Sequence, residues 1–135
     1  MKAELVAFIR QRGHEVSDVG SYDPKPVDFP DIARKVAAAI TGGQAERGLM
    51  VCGTGVGAAI GANKMKGIRA AVCHDVHSAH QCVEHDDVNV MCIGAQIVGP
   101  WLAKDLVAAY LDARFSTDEE FRRRVAKLAE MDAGR

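Results

Sequence analysis

VCGTGVGAAIGANK, residues 51–64, decides how the rest of the chain is read. An apolar run, Gly48 to Cys52, ends on a cysteine. Gly53, Gly55 and Gly57 follow at alternate positions, and Val56 to Lys64 has the small residues of a tightly packed helix. A buried strand, a glycine loop and a helix in that order form the repeating unit of parallel α/β folds. A cysteine at the mouth of such a loop is unusual, because loops of this kind generally hold an oxyanion.

Outward from this stretch the same alternation recurs. Met1 to Arg12 has apolar residues at a helical period and stops at Gly13. His14 to Val19 reads as a short strand. Pro30 to Thr41 is a helix with Pro30 in its first turn and a stripe of Ile32, Val36 and Ile40. Ile68 to Cys73 and Asn89 to Ile93 are strands, and His77 to His85 is a helix between them. Gly99 to Ala113 and Asp118 to Asp132 are the closing helices. The fold class is therefore α/β, a single domain over residues 1–135 with a parallel sheet covered on both faces. Ligands of such folds bind at the carboxyl ends of the strands, where the loop after Val51, Cys73-His74-Asp75 and the segment after Ile93 all fall.

Bulk composition narrows the function. With 135 residues and a formal net charge of −1, the chain has no global field for nucleic acid or a membrane surface. No apolar run approaches the roughly 20 residues of a membrane helix. The charged, amphipathic first segment is no secretory signal, so a cytoplasmic location is expected. Cys52, Cys73, Cys82 and Cys92 contain no Cys-x-x-Cys pair and are expected as free thiols, with Cys73 and Cys92 inert in the core.

Three readings of the glycine loop stand side by side. Gly53-Thr54-Gly55-Val56-Gly57-Ala58 fits a dinucleotide fingerprint, with Asp75 placed as its ribose-binding acid. The glycines alternatively serve only a tight turn and close helix–sheet packing. In the third reading successive N–H groups at a helix start stabilise negative charge, the same field favours a Cys52 thiolate, and Thr54 relays protons. That arrangement suits enediolate chemistry, where a proton leaves carbon while charge builds on the adjacent oxygen.

VCGTGVGAAIGANKMKGIRAAVCHDVHSA followed by EHDDVNVMCIGAQIVG closely resembles the ribose-5-phosphate isomerase type B family, which includes the subunits of galactose-6-phosphate isomerase. The resemblance runs from the first helix to FRRRVAKL. It implies a Rossmann-like three-layer α/β/α sandwich, a homodimer or tetramer with active sites at the dimer interface, and cofactor-free, metal-free aldose–ketose isomerisation of a phosphorylated sugar. By the same resemblance Cys52 is the base, Thr54 the proton relay, and Gly53, Gly55, Val56 and Gly57 the enediolate cradle. His85 opens the sugar ring, commonly from the partner subunit, Asp86 stands at a substrate-binding position, and Arg124 binds the phosphate. An isomerase of a hexose 6-phosphate or tetrose 4-phosphate, and a non-catalytic sugar-phosphate-binding subunit, are the alternatives.

Departures from the family pattern carry their own expectations. The family's first strand, which ends in an Asp-His pair, has no counterpart here; its loss should leave an open apolar trough, and it favours a start upstream of Met1. Asp86 replaces an asparagine, Gln96 an arginine, and Glu120 falls at or near one of two paired arginines. Arg122 and Arg123 sit on other helix faces than Arg124. Cys73, His74, His77, His80 and Cys82 are dense enough to evoke a metal but lack standard zinc spacing, and an exposed helix with ordinary histidines is the reading taken. Trp101 is expected to pack the start of its helix.

Overall fold

The computed structural model describes all of residues 1–135. Six helices flank a three-stranded parallel sheet: α1 (Lys2–Gln11), α2 (Phe29–Thr41), β1 (Gly48–Cys52), α3 (Val56–Asn63), β2 (Ala70–Val72), α4 (Val76–Asp86), β3 (Val90–Gly94), α5 (Pro100–Asp112) and α6 (Glu119–Ala133). The strand order is β1-β3-β2, with Gly48 to Cys52 paired to Val90 to Gly94 and Ala70 to Val72 paired to Val90 to Cys92.

Burial explains why β3 is central. All five of its residues are buried, and successive side chains enter opposite layers. Met91 and Ile93 join Leu5, Val83, Leu106 and Tyr110 on the face covered by α1, α4 and α5. Val90 and Cys92 join Ala33, Val36, Met50 and Ala58 on the face covered by α2 and α3. A strand buried on both sides has no polar position to spare, hence the continuous apolar run VNVMCIG. Polar tethers hold the helices to this core. Tyr110 donates its hydroxyl to the Gly48 carbonyl at 3.1 Å, and burial pushes its phenol well above the usual range. Arg47 donates to the carbonyls of Tyr110 and Ala113, closing the carboxyl end of α5.

One expected strand does not form. Residues 14–19 have no strand pairing, although His14 to Val19 alternate in the manner of a strand. β1 is an edge, and between it and this segment lies an open groove of about 840 Å³, lined by Leu5, Val16, Val19, Ile32 and Val51 among others. The segment lies against the groove rather than against a strand, so its backbone has no ladder to join. An open apolar trough is what the sequence, read without a strand before α1, leads one to expect. The other strands match their expected places within two residues at each end, β2 being the shorter Ala70–Val72. No helix is long and apolar enough to cross a membrane.

The topology also makes a crevice. β1 leads into α3 on one face, whereas its neighbour β3 leads into α5 on the other. The two loops part at the carboxyl edge of the sheet, the place where open α/β sheets bind ligands.

Candidate active site

Cys52 is the last residue of β1 and is half-buried at this crevice. Its sulfur accepts a hydrogen bond from the Gly55 N–H at 3.1 Å, and Val56 N–H donates to Thr54 Oγ1 at 3.3 Å. The amides of Thr54, Gly57 and Ala58 donate to no protein acceptor. They belong to the loop and the first turn of α3, where unpaired N–H groups and the helix dipole both favour an anion.

Two of the glycines are forced by their surroundings. Gly55 is the N-cap of α3 at φ +81° and rests on the backbone of Cys92 and Ile93, where a side chain would be both strained and crowded. Gly57 faces the Phe29 ring, 3.0 Å from the place a Cβ would occupy. Gly53 is different: the carboxamide of Gln96 lies over it, 3.2 Å from that place. Gln96 therefore reaches the cradle from the segment after β3.

That segment laces the loop into position. Ala95 N–H donates to the Cys52 carbonyl at 2.7 Å and Gln96 N–H to the Gly53 carbonyl at 3.0 Å. Gly94 is buried against Thr54, with no room for a Cβ. The cysteines separate by environment. Burial, then the neighbouring Cys52 and Cys73, push the Cys92 thiol up to about 12, whereas Cys52 stays open to the crevice. Cys73 and Cys82 are buried, and Cys82 is pushed well above the usual thiol range, chiefly by its hydrogen bond to Cys73 and then by burial. All four are free thiols, as expected.

The other expected residues lie elsewhere. His85 is in the last turn of α4, which runs back from the carboxyl edge of the sheet to its amino edge, so about 14 Å of helix separates it from the crevice level. Its ring stacks on Phe121 of α6, centroids 3.9 Å apart and 12° from parallel. Arg124 sits 5.9 Å from the same ring centroid and pairs with Glu120 at 2.6 Å. Asp86 is exposed beside His85. The chain thus holds two groups of candidate residues at opposite ends of the sheet: Cys52, Thr54 and the cradle at one, and His85, Asp86 and Arg124 at the other. Phe121 is the piece that reading the sequence missed; a phenylalanine opening a charged helix reads as core.

Several other readings are settled by contacts. Asp75, the acid that the nucleotide reading requires, caps α4, accepting the Ser78 N–H at 2.7 Å, and that amide holds its carboxyl below the usual range. His80 pairs with Glu84, His74 accepts the Gly94 N–H at 2.9 Å, and Cys82 is buried, so the histidine-rich helix does not converge on one point. Trp101 does not pack its helix start. It is 88% exposed, because α5 buries Ala103, Leu106, Val107 and Tyr110 and turns position 101 outward.

Comparison with known proteins gives the family. A family model described as Ribose/Galactose Isomerase matches residues 1–128. The chain belongs to that family. Among ribose/galactose isomerases it is 44% identical over 115 residues to ribose-5-phosphate isomerase B of Escherichia coli, covering 85% of this chain and 77% of that protein. It is 43% identical to the D-erythrulose-4-phosphate isomerase of Pectobacterium atrosepticum over 118 residues, 85% of this chain and 76% of the relative. The structure of ribose-5-phosphate isomerase B from Clostridium thermocellum superposes with a TM-score of 0.94 at 41% identity, over 98% of this chain and 89% of that one. The three-layer Rossmann-like fold and the sugar-phosphate isomerase class expected from the sequence are those of the family.

Proposed function

We propose that this isomerase converts a phosphorylated aldose to its ketose through a cis-enediolate, with ribose 5-phosphate as the favoured substrate. The carrying observation is the Cys52 sulfur held by the Gly55 amide at 3.1 Å beside unpaired N–H groups. The Cys52 thiolate takes the proton from C2 of the open-chain sugar. The released electron pair forms the C1–C2 double bond, and the charge passes to O1, where the amides of the loop stabilise it. Thr54 moves a proton between O2 and O1, and Cys52 returns its proton to C1.

Ring opening and phosphate binding need the second group, which lies at the far end of the sheet in the same chain. The reading therefore requires a homodimer in which His85, Asp86 and Arg124 of one subunit complete the cradle of the other. Val56, Ile97 and Trp101, all leaving the carboxyl edge of the sheet, are exposed apolar residues at the rim of the crevice, suited to cover by a second copy. Phe121 holds the His85 ring flat, and the Glu120–Arg124 pair must open or share its arginine when phosphate arrives.

A second substrate is favoured by Gln96. A neutral carboxamide over Gly53 offers a hydroxyl partner rather than a second cation, and Glu120 tempers Arg124. A tetrose 4-phosphate or hexose 6-phosphate fits that weaker anion grip. The test is deuterium exchange in heavy water, followed by NMR at C1 and C2, with ribose 5-phosphate and then tetrose and hexose phosphates, and with Cys52→Ala as control. Exchange lost in the variant supports the thiol as base and names the substrate. Exchange that persists in Cys52→Ala overturns the mechanism.

A further inference from the structure

The geometry points to His74 as a positioning residue that locks the cradle in place through the Gly94 amide, an inference that rests on the cradle being the site of reaction. β2 pairs with β3 only as far as Val72 opposite Cys92, and the last backbone bond between them runs from Cys73 N–H to the Cys92 carbonyl. β3 continues two residues further, to Gly94, paired there with Cys52 of β1. On its β2 side the Gly94 N–H has outrun its neighbouring strand. His74 Nε2 accepts it at 2.9 Å, taking the place of the missing backbone carbonyl. Gly94 is buried, so without that acceptor its amide would be left unpaired.

Three consecutive amides thus tie the end of β3 to both of its neighbours. Ala95 and Gln96 donate to the carbonyls of Cys52 and Gly53, and Gly94 donates to the imidazole. His74 is the one side chain among the three acceptors. The residue it holds is also the floor of the cradle. A Cβ on Gly94 would lie 2.7 Å from Thr54 Cα and carbonyl carbon and 2.8 Å from the Gly53 oxygen, so the Gly94 backbone sets how deep Thr54 sits. An Nε2 that accepts fixes the neutral tautomer with its proton on Nδ1. His74 touches the cradle through Gly94 alone in this scheme and moves no proton of the substrate.

The test compares the wild-type protein with His74→Phe, which keeps a flat ring without an acceptor, and His74→Gln, whose Oε1 has about the reach of Nε2. Nitrogen-15 NMR of labelled histidine is expected to show an unprotonated Nε2 and a protonated Nδ1 at His74. Gly94 amide exchange is expected to quicken by about tenfold or more in His74→Phe and to return towards wild type in His74→Gln. With ribose 5-phosphate, kcat is expected to fall about tenfold in His74→Phe with KM nearly unchanged, and His74→Gln to recover most of it. A protonated Nε2, an unchanged Gly94 exchange rate in His74→Phe, or equal loss in both variants overturns the inference. A wild-type protein silent on every phosphosugar would instead sink the isomerase reading, and the tautomer and the exchange rates still decide whether His74 holds Gly94.

Discussion

Gly94→Ala puts the cradle to its sharpest test. The backbone at Gly94 is not among the positive-φ positions, so alanine is not strained by its own dihedrals. The cost is contact. The new Cβ would stand 2.7 Å from two backbone carbons of Thr54, against the roughly 3.5 Å of ordinary carbon packing, so the loop must retreat by about 0.8 Å. Backbone cannot rotate away as a long side chain can. Overpacking of this kind costs about 1–3 kcal/mol. The functional loss should be larger in proportion, because oxyanion donors work at roughly 2.7–3.1 Å and a displacement near 1 Å costs on the order of a hundredfold. The expected result is a urea midpoint lowered by that modest amount, kcat lowered between about tenfold and a hundredfold, and KM changed far less. Gly99→Ala is the control. Nothing lies within 4 Å of its Cβ position, and its loss is confined to a helix N-cap effect of about 1 kcal/mol or less. A Gly94→Ala enzyme with kcat within a factor of about two of wild type would refute the reasoning, since the loop would then tolerate a shift that an oxyanion site cannot.

Other outcomes follow from the same contacts. Mixing the two inactive variants Cys52→Ala and His85→Ala should restore activity towards about a quarter of wild type, because a statistical hybrid dimer carries one intact site out of two; no recovery would argue against sites shared between subunits. Leu106 is fully buried on the inner face of α5, and Leu106→Ala should lower stability by about 2–5 kcal/mol in urea unfolding with an unchanged slope. Asp132 anchors the end of α6, accepting the Gly67 N–H at 2.6 Å, and that amide and then Arg135 hold its carboxyl below the usual range. A depressed folded value means stability that is present above the unfolded carboxylate range and lost as pH falls through the folded one. Asp132→Asn should therefore lower Tm near neutral pH, with the gap to wild type closing as acid protonates the native carboxylate; a gap that widens in acid would contradict it.

Much of the molecule was readable locally, and the failures share a cause. The glycine loop, the free thiols and the closing helices were legible because helical period, Gly and Pro punctuation and the loop motif act within a dozen residues. Residues 14–19 were misread because alternation reports a face to bury and not a ladder to join. Trp101 was misread because size says that a residue packs well somewhere, while the pitch of α5 decides which way position 101 points. His74 was read as one of a set of ordinary surface histidines because they cluster along the chain, yet its acceptor role depends on β2 ending two residues before β3.

The sequence by itself determined the α/β class and the family, since both rest on residue types at fixed short spacing, and through the family resemblance it proposed Cys52, Thr54, His85 and Arg124 as the residues that carry chemistry. Tertiary structure alone decided that these residues form two groups rather than one. The direction of α4, antiparallel to the strands it connects, carries His85 to the edge of the sheet opposite Cys52, and no spacing along the chain records which way a helix returns. It likewise decided why the glycines are glycines, because Gly57 answers to the Phe29 ring and Gly94 to the Thr54 backbone, contacts between segments tens of residues apart.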